Sequence, residues 1–275
     1  MSRALVLGAL HGPAELMPIS SSAHVTVVPY LLGWDYAEAD PDLRKAFEVA
    51  LHAGTALALL VGLRDEVEET IRRMTPALAA QLVVASIPAA LVGFTLEKPI
   101  ERRLGTPETI PLGMIAGALA MGWADRSARD RSSGEAGMRD ALWLGIAQAC
   151  ALMPGVSRNG ATLTAARRRR FARVDANRLS RHVALPVIGG ATGLKTLRLA
   201  RRGLPDGMAT PFAVGAIASF GSTLLSTRVL RAVERDASLT PYVAYRLLIA
   251  GAVLRRARRR ARSRAAGPLA TGGSA

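Results

Sequence analysis

The chain has 275 residues, half of them apolar, and its 36 Lys and Arg residues against 21 Asp and Glu residues give a net charge of +15. The apolar residues form long blocks with most charges between them, which excludes a disordered chain and disfavours a soluble enzyme. The lone cysteine, Cys150, excludes an intrachain disulfide. The composition predicts an all-α polytopic membrane protein.

The apolar blocks predict six membrane-spanning helices in chain order. They cover residues 46–63, 76–96, 109–124, 182–200, 208–227 and, more briefly, 241–254. The intervening segments 64–75, 125–140, 166–181 and 228–240 are predicted loops. Residues 255–264 carry seven arginines and are predicted to lie on the cytoplasmic membrane surface, within a basic, disordered tail at 255–275.

The excess of basic residues indicates a membrane surface as partner. The arginines flank apolar blocks, and aromatic residues do not alternate with them as they do on RNA-binding surfaces. Anionic lipid headgroups and the positive-inside rule account for the pattern. We therefore expect a multi-pass protein of the cell membrane, in contact with membrane lipids and not with nucleic acid.

Two further apolar blocks, 4–17 and 141–153, are too short and too polar to cross a bilayer alone. Each ends at a proline, Pro18 or Pro154, and runs into a stretch of serine and glycine where a helix would break. Broken backbone at membrane depth is tolerated only inside protein or along a water-filled cavity. Both blocks are therefore predicted to form re-entrant helix hairpins.

The two short blocks also resemble each other in sequence. Residues 16–21, LMPISS, align without gaps to residues 152–157, LMPGVS, at an offset of 136. Half-length repeats with interrupted helices place a binding site where the halves meet. We predict one domain, 1–254, made of two interlocked inverted-topology repeats at about 1–125 and about 139–254.

The first break carries acid, hydroxyl and imidazole groups close together. His11 and Glu15 lie four residues apart and share a helix face, and an ionisable group in an apolar block normally faces a cavity or partner. Carboxylate oxygens suit a divalent cation, Mg²⁺ or Ca²⁺. A run of hydroxyls then leads to an imidazole: Ser20, Ser21, Ser22 and His24. Serine helix caps and a packed histidine are the structural alternative.

The second break carries groups that suit a phosphate. Arg158 lies among Ser157, Asn159 and Thr162, with glycines on both sides. A guanidinium with nearby hydroxyls and open backbone amides matches phosphate oxygens. An interfacial arginine that reaches to lipid headgroups is the alternative. Pairing with the first break favours the phosphate interpretation.

Residues 15–24 and 154–162 closely resemble the two signature motifs of the undecaprenyl-diphosphate phosphatase family, the bacitracin-resistance proteins BacA/UppP. Phe47-Glu48-Val49 with Gly54, Leu185-Pro186 and Tyr245-Arg246 resemble further family positions, so the similarity runs from about residue 5 to about residue 254. The resemblance implies interlocked inverted repeats with re-entrant helix pairs. It also implies metal-assisted removal of the terminal phosphate from a C55 polyprenyl diphosphate at the outer face, which recycles the carrier lipid of cell-wall synthesis and confers bacitracin resistance.

The motifs and the resemblance together assign the site residues. The predicted catalytic residues are Glu15, Ser21, His24 and Arg158. The predicted substrate-binding residues are Ser20, Ser22, Ser157, Arg158, Asn159 and Thr162. The predicted ligands of a Mg²⁺ or Ca²⁺ ion are Glu15 and His11. His24 acts either as the nucleophile or as the base that activates Ser21, and both routes predict a phospho-enzyme.

Three positions depart from the family pattern. His11 stands where the family usually has Glu or Gln, Asn159 where Ser is common, and Arg181 where an apolar or aromatic residue is usual. Two other functions are weighed. A polyprenyl-phosphate transporter or flippase would use the same cavity. A second lipid-phosphatase class requires a histidine at position 164, which is Thr164. Homodimer formation stays open.

Overall fold

The computed structural model describes residues 1–204, 206–233 and 238–265. This part of the chain is helical, with an isolated bridge between Arg131 and Phe171 in place of any strand. The helices are α1 (Ser2–Leu16), α2 (Ser21–Leu32), α3 (Pro41–Gly62), α4 (Arg64–Arg72), α5 (Pro76–Leu104), α6 (Ile110–Ala124), α7 (Met138–Cys150), α8 (Arg158–Arg168), α9 (Arg173–Arg202), α10 (Ala209–Val233) and α11 (Thr240–Ala265).

Many large apolar side chains lie on the outer surface of this bundle, as a lipid environment requires. Three of the described helices are long and apolar enough to cross a bilayer: Pro41–Gly62, Pro76–Leu104 and Ala209–Arg228. Helix α5 exposes large apolar side chains along its length, among them Val83, Leu91 and Phe94. Exposed apolar area of this extent is unusual on a soluble monomer. The chain is therefore a helical membrane protein.

The other predicted spans also lie in helices, but they are less distinct. Helix α6 has 15 residues, and α9 carries Lys195 and Arg198 within the predicted span. Their crossing of the membrane stays a prediction, as does that of the apolar part of α11.

Two predicted loops are wrong, and in a third, 228–240, residues 228–233 belong to α10. Residues 64–72 form α4, where glutamates lie one turn from arginines and pair with them: Arg72 with Glu68, and Arg73 at the helix end with Glu69. Most of 166–181 belongs to the end of α8 and the start of α9. High charge in these segments indicates solvent contact, and a charged segment can still be helical.

The predicted disordered tail is wrong for residues 255–265. Helix α11 continues from the apolar block through the arginines to Ala265. Arginine and alanine are strong helix formers, so a helix that begins in the apolar block has no reason to end at Leu254. Arg256 and Arg260 lie over the ring of Tyr30. Residues 266–275 of the predicted tail lie outside the described residues.

Both predicted breaks are present. Helix α1 ends at Leu16 and α2 begins at Ser21; α7 ends at Cys150 and α8 begins at Arg158. Ser20 and Ser157 each precede the new helix with a positive φ, 76° and 66°. The equivalent serines are thus 137 residues apart, so the gapless alignment is out of register by one residue. The second break is longer and includes Gly155, whose φ of 93° suits glycine.

The helices pack mainly across the two halves of the chain. Helix α1 packs on α10 and α7 packs on α5, so each short broken helix lies against a long helix of the other half. Helix α3 contacts α9 and α10, α5 contacts α9, and α6 contacts α8 and α11. Each break is therefore surrounded by helices that come from elsewhere in the sequence.

One polar cluster lies at the end of the bundle, and we call it the loop cluster: Asp125, Asp140, Arg131, Arg169 and Arg173. Arg131 donates both terminal nitrogens to Asp140, at 3.0 and 3.1 Å, and Arg169 adds a bond of 2.7 Å. Arg173 donates two bonds of 2.7 Å to Asp125. Burial opposes the charge on Asp140, but these bonds outweigh it and lower the pKa of Asp140 to about 2.

Candidate active site

A fully buried arginine on α11 ties the two breaks together. Arg246 donates from Nη1 to the carbonyl of Pro18 at 3.2 Å, and from Nη2 to the carbonyls of Gly155 and Val156 at 2.9 and 3.0 Å. At Gly117 any Cβ would lie 2.3 Å from Nη2, so this glycine makes room for the guanidinium. Carbonyls that the broken helices leave without helical partners thus receive a common donor.

Asn159 provides a second connection between the breaks. Its Nδ2 donates to the carbonyl of Leu16, the last residue of α1, at 2.5 Å. Its Oδ1 accepts from Ser180 on α9, and Ser180 Oγ also lies 2.5 Å from Thr162 Oγ1. The start of α8 is therefore fixed both to α1 and to α9.

Glu15 lies at the centre of the convergent polar groups. Arg158 Nη2 donates to its Oε1 at 2.5 Å, and Ser21 Oγ donates to its Oε2 at 2.5 Å. The ring of His52, from α3, places Nε2 3.7 Å from Oε2. The Glu15 side chain is 9% exposed and that of Arg158 22%. The predicted carboxylate, hydroxyl and guanidinium therefore meet, although 143 residues separate Glu15 from Arg158.

His11 completes this group, which we call the Glu15 cluster: Glu15, Ser21, Arg158, His11 and His52. The rings of His11 and His52 meet edge to face with centroids 4.5 Å apart. A ligand atom from each of His11, Glu15 and His52 lies within 4.8 Å of the other two. The predicted proximity of His11 to Glu15 is present, and α3 adds an imidazole that the motifs do not contain.

His24 lies beside this cluster with different partners. Its Nδ1 donates to the carbonyl of Ser20 at 2.7 Å, and its Nε2 lies 2.7 Å from the hydroxyl of Tyr245. The two rings are parallel, with centroids 5.6 Å apart. Because a carbonyl only accepts, Nδ1 carries the proton in neutral His24 and the Tyr245 hydroxyl donates to Nε2. Both ring nitrogens are thus occupied, and neither is bonded to Ser21.

The remaining predicted substrate-binding hydroxyls have structural partners. Ser157 Oγ accepts from the Gly160 N–H at 3.2 Å and so caps α8, as the structural alternative predicts. Ser20 provides no side-chain cap for α2, so that alternative is wrong there. Ser22 Oγ lies 3.5 Å from Ser20 Oγ.

A cleft opens beside Glu15 and Arg158. Its lining also includes the polar side chains of Asn159 and Ser180. The apolar side chains that line it are Leu16, Leu59, Leu63, Ala184, Leu185 and Ile188. Arg181, for which sequence reasoning gives no role, lines the cleft and donates to Glu66 of α4 at 2.9 Å. The cleft therefore combines charged and apolar side chains.

His52 lies outside the sequence motifs, and the motifs predict no role for Tyr245 and Arg246. His52 follows Glu48 by four residues inside an apolar block, and that pair of polar residues on one helix face was a usable signal. A tyrosine followed by an arginine within a short apolar block is a similar signal. Only the fold reveals which breaks these side chains contact.

Comparison with known proteins now identifies the family. The family model for bacitracin resistance protein BacA matches residues 4–252. The chain belongs to the BacA family.

Among its BacA relatives are proteins named undecaprenyl-diphosphatase from several bacteria. That of Geobacter sulfurreducens is 40% identical over 264 residues, covering 91% of this chain and 96% of that protein. That of Pelobacter propionicus is 39% identical over 265 residues, covering 91% and 95%. That of Thermomicrobium roseum is 37% identical over 269 residues, covering 90% and 94%. The resemblance drawn from the two motifs is confirmed.

Proposed function

We propose that this chain is an undecaprenyl-diphosphatase, which hydrolyses undecaprenyl or a similar polyprenyl diphosphate to the monophosphate and free phosphate. The observation that carries the proposal is the meeting of Glu15, Ser21 and Arg158, where Glu15 and Arg158 line a cleft with polar and apolar walls, in a chain of the BacA family. A diphosphate lipid requires both kinds of wall. The reaction recycles the lipid carrier of cell-wall synthesis and confers bacitracin resistance.

The proposed architecture is a pair of interlocked inverted repeats with re-entrant hairpins α1–α2 and α7–α8, within one domain at 1–254. The helix contacts support it. Exchanging α1, α2, α3, α5 and α6 with α7, α8, α9, α10 and α11 turns the α1–α10 contact into α7–α5, α3–α10 into α9–α5, and α2–α11 into α8–α6, all of which occur. The α3–α9 and α6–α11 contacts map onto themselves. Such symmetry is typical of repeats that place a site at their interface.

Arg158 is the proposed phosphate-binding group. A guanidinium has five N–H donors, and Glu15 engages one terminal nitrogen, so others are available to phosphate oxygens. The backbone N–H groups at the start of α8 add donors and the favourable end of the helix dipole. Ser157, Asn159 and Thr162 hold this turn in place, while Ser20 and Ser22 stay proposed as hydroxyl contacts to substrate.

Ser21 is the proposed nucleophile. Its Oγ attacks the terminal phosphorus, the bond from that phosphorus to the bridging oxygen breaks, and the lipid monophosphate leaves. The hydroxyl proton passes to Glu15, whose Oε2 lies 2.5 Å away, and water then hydrolyses the phosphoserine. Because both ring nitrogens of His24 are already bonded, its proposed role is to hold the Ser20 carbonyl and the start of α2.

A divalent cation, Mg²⁺ or Ca²⁺ in the sequence-based prediction, is proposed to bind Glu15 and His11. The donor set fits a cation, since His11 Nε2 is buried without a hydrogen-bond partner among the described residues. When bound, the ion would neutralise phosphate charge. The comparisons give no support to the alternative of a transporter, which would bind the lipid without releasing phosphate.

Phosphate release from C55 diphosphate by the purified protein in detergent tests the proposal. We expect turnover in the wild type, ³²P on Ser21 after acid quench of a reaction with terminally labelled lipid, and a loss of more than about 10³-fold in Ser21→Ala. Ser86→Ala is the matched control, since within the described part of the chain the Ser86 hydroxyl bonds to the Leu82 carbonyl of its own helix, α5. Lipid binding without phosphate release by the wild type would contradict the proposal.

We propose that the cleft opens to the outer side of the cell membrane, as the family resemblance implies. A single cysteine at Asn177, which lines the cleft, in a Cys150→Ala background tests this side. We expect a membrane-impermeant maleimide to label it on intact cells, and labelling only after lysis would reverse the orientation. A homodimer stays a prediction, to be checked by cross-linking in membranes.

A further inference from the structure

Two imidazoles of the Glu15 cluster lie close to the same carboxylate. His11 comes from α1 and His52 from α3, and a ring nitrogen of each lies within 4.8 Å of a Glu15 carboxylate oxygen. His52 Nε2 faces Oε2, whereas Arg158 binds Oε1. Which ring nitrogens carry protons decides whether this arrangement is a hydrogen-bonded core or a ligand site. The surrounding hydrogen bonds assign those protons.

A chain of hydroxyls fixes the proton of His11. We assign the Ser219 proton to the Leu51 carbonyl, 2.9 Å away, so that Thr55 donates in its 2.7 Å contact with Ser219. Thr55 Oγ1 must then accept from His11 Nδ1, 2.9 Å away. Nε2 is left as a bare lone pair, fully buried and without a hydrogen-bond partner in the described part of the chain.

A backbone carbonyl fixes the proton of His52. Its Nδ1 lies 2.9 Å from the carbonyl of Glu48, which only accepts, so Nδ1 is protonated. In the neutral ring Nε2 is therefore also a bare lone pair, and it faces the carboxylate Oε2 of Glu15 at 3.7 Å. Two acceptors facing each other in a buried site repel unless a cation lies between them.

We infer that His11, Glu15 and His52 form a binding site for a borderline divalent transition metal such as Zn²⁺ or Co²⁺, in preference to Mg²⁺ or Ca²⁺. Two imidazole nitrogens and one carboxylate oxygen are the donors such ions favour, whereas Mg²⁺ and Ca²⁺ require oxygen ligands. The metal preference follows from the two imidazoles, those of His11 and His52.

The geometry permits this site with little movement. The three ligand atoms lie within 4.8 Å of one another. Tetrahedral coordination with bonds of about 2.1 Å needs ligand separations of about 3.4 Å, so the atoms must close by roughly 1 Å. The partners of Nδ1 in both rings, the Thr55 hydroxyl and the Glu48 carbonyl, are the kind of outer contacts that orient metal-binding histidines. Coordination positions remain for phosphate oxygens.

The role of this ion in phosphate release rests on the proposed function, but its binding does not. Purified protein freed of metal with a chelator and titrated with Co²⁺ tests binding directly, because bound Co²⁺ with nitrogen ligands gives visible absorption bands. We expect one Co²⁺ per chain, displaced by equimolar Zn²⁺ and not by a hundredfold excess of Mg²⁺ or Ca²⁺. Ser86→Ala, on α5, should bind Co²⁺ as the wild type does.

Variants of the two histidines complete the test. His52→Gln and His11→Gln should each weaken Co²⁺ binding more than tenfold. His182→Gln, on α9 outside the cluster, is the matched control for losing an imidazole and should leave it unchanged. Melting temperatures in detergent identify any variant that fails to fold. Where a His→Gln variant fails, His→Asn at the same position is compared with the wild type for Co²⁺ binding.

Three outcomes would overturn the inference: no stoichiometric Co²⁺ binding, equal displacement of Co²⁺ by Mg²⁺, or unchanged Co²⁺ binding in His52→Gln. The last outcome would mean that His52 is an imidazolium paired with Glu15. Failure of the metal site and failure of the phosphatase are distinguishable. Co²⁺ binding without phosphate release leaves the site and removes the proposed function, and Mg²⁺-dependent release without Co²⁺ binding does the reverse.

Discussion

The Glu15 cluster and the loop cluster both join buried carboxylates to arginines, yet they differ in what their atoms still lack. Asp140 accepts from Arg131, Arg169 and the Gly137 N–H, so donors surround it. Asp125 is similarly surrounded, with the Leu239 N–H and Ser238 hydroxyl adding to its arginine bonds. The oxygens of both carboxylates are therefore fully hydrogen-bonded and leave no position for a ligand or cation.

Glu15 has a different environment. One arginine nitrogen and one hydroxyl donate to it, and the next atoms are ring nitrogens with lone pairs. An incompletely satisfied carboxylate that lines a cleft has capacity for a cation and for the phosphate that accompanies it. A buried acid–arginine pair alone therefore does not identify a binding site. A carboxylate that lacks part of its hydrogen-bond donors does.

Removal of the arginine from each cluster tests this difference most strongly. Arg158→Ala should lower phosphate release by about 10²- to 10³-fold, because a donor to transferring phosphate oxygens is lost. The melting temperature should stay near that of the wild type. Arg173→Ala should instead lower the melting temperature and keep turnover per folded molecule near normal. Equal loss of turnover in both variants would contradict the assignment of a catalytic role to the Glu15 cluster and a structural role to the loop cluster.

A smaller loss of turnover is expected at Arg246, which bonds to the backbone of both breaks next to the Glu15 cluster. In Arg246→Lys a single ammonium group cannot reach all three carbonyls of the two breaks, and an unsatisfied buried carbonyl costs about 1–3 kcal/mol. We expect turnover to fall about tenfold together with the melting temperature. Arg255→Lys, on the same helix, should change neither turnover nor melting temperature. Larger losses in Arg255→Lys than in Arg246→Lys would contradict the proposed role of Arg246 in holding the two breaks together.

Tyr245→Phe should act more weakly. It removes the hydroxyl that donates to His24 Nε2, and one such bond is worth about 0.5–1.5 kcal/mol. We expect kcat to fall about three- to tenfold while KM for the lipid stays unchanged, because His24 contacts the start of α2 and not the cleft. Tyr30→Phe, on the same helix as His24, is the control, and a change confined to KM would place His24 at the substrate instead.

The smallest effect on turnover is expected in the loop cluster, where pH changes stability. Asp140 has a folded-state pKa of about 2, below its unfolded value of about 3.9. Its stabilising contribution is therefore complete above about pH 5 and is lost as the pH falls toward 2. The difference in melting temperature between wild type and Asp140→Asn should shrink over this range. A difference independent of pH would assign the effect to packing.

Local sequence features determine much of the fold and part of the site. Apolar block length predicts the long helices, and prolines next to serines predict both breaks, because these signals act within one or two turns. The helical content of the charged segments 64–72 and 255–265 could not be predicted from hydropathy, which reports solvent contact and not backbone conformation.

The long-range part of the site follows from tertiary packing and lies beyond such signals. Glu15, Ser21 and Arg158 are found by their motifs, but the approach of His52 depends on how α3 packs beside α1. The partners of His24 and the register of the two breaks also depend on the folded backbone. The serines with positive φ differ by 137 residues because the second break is longer, and a gapless alignment cannot detect an inserted residue.

The distance of 143 residues between Glu15 and Arg158 has a consequence for biosynthesis. At about 5–20 residues per second, roughly 7 to 30 s pass between the synthesis of the acid and that of its counter-ion. Arg246, which bonds to Pro18, follows 228 residues after it. The first hairpin therefore leaves the ribosome before its partners are synthesised. Its polar groups must stay in contact with water or a chaperone until the second half of the nascent chain inserts around it.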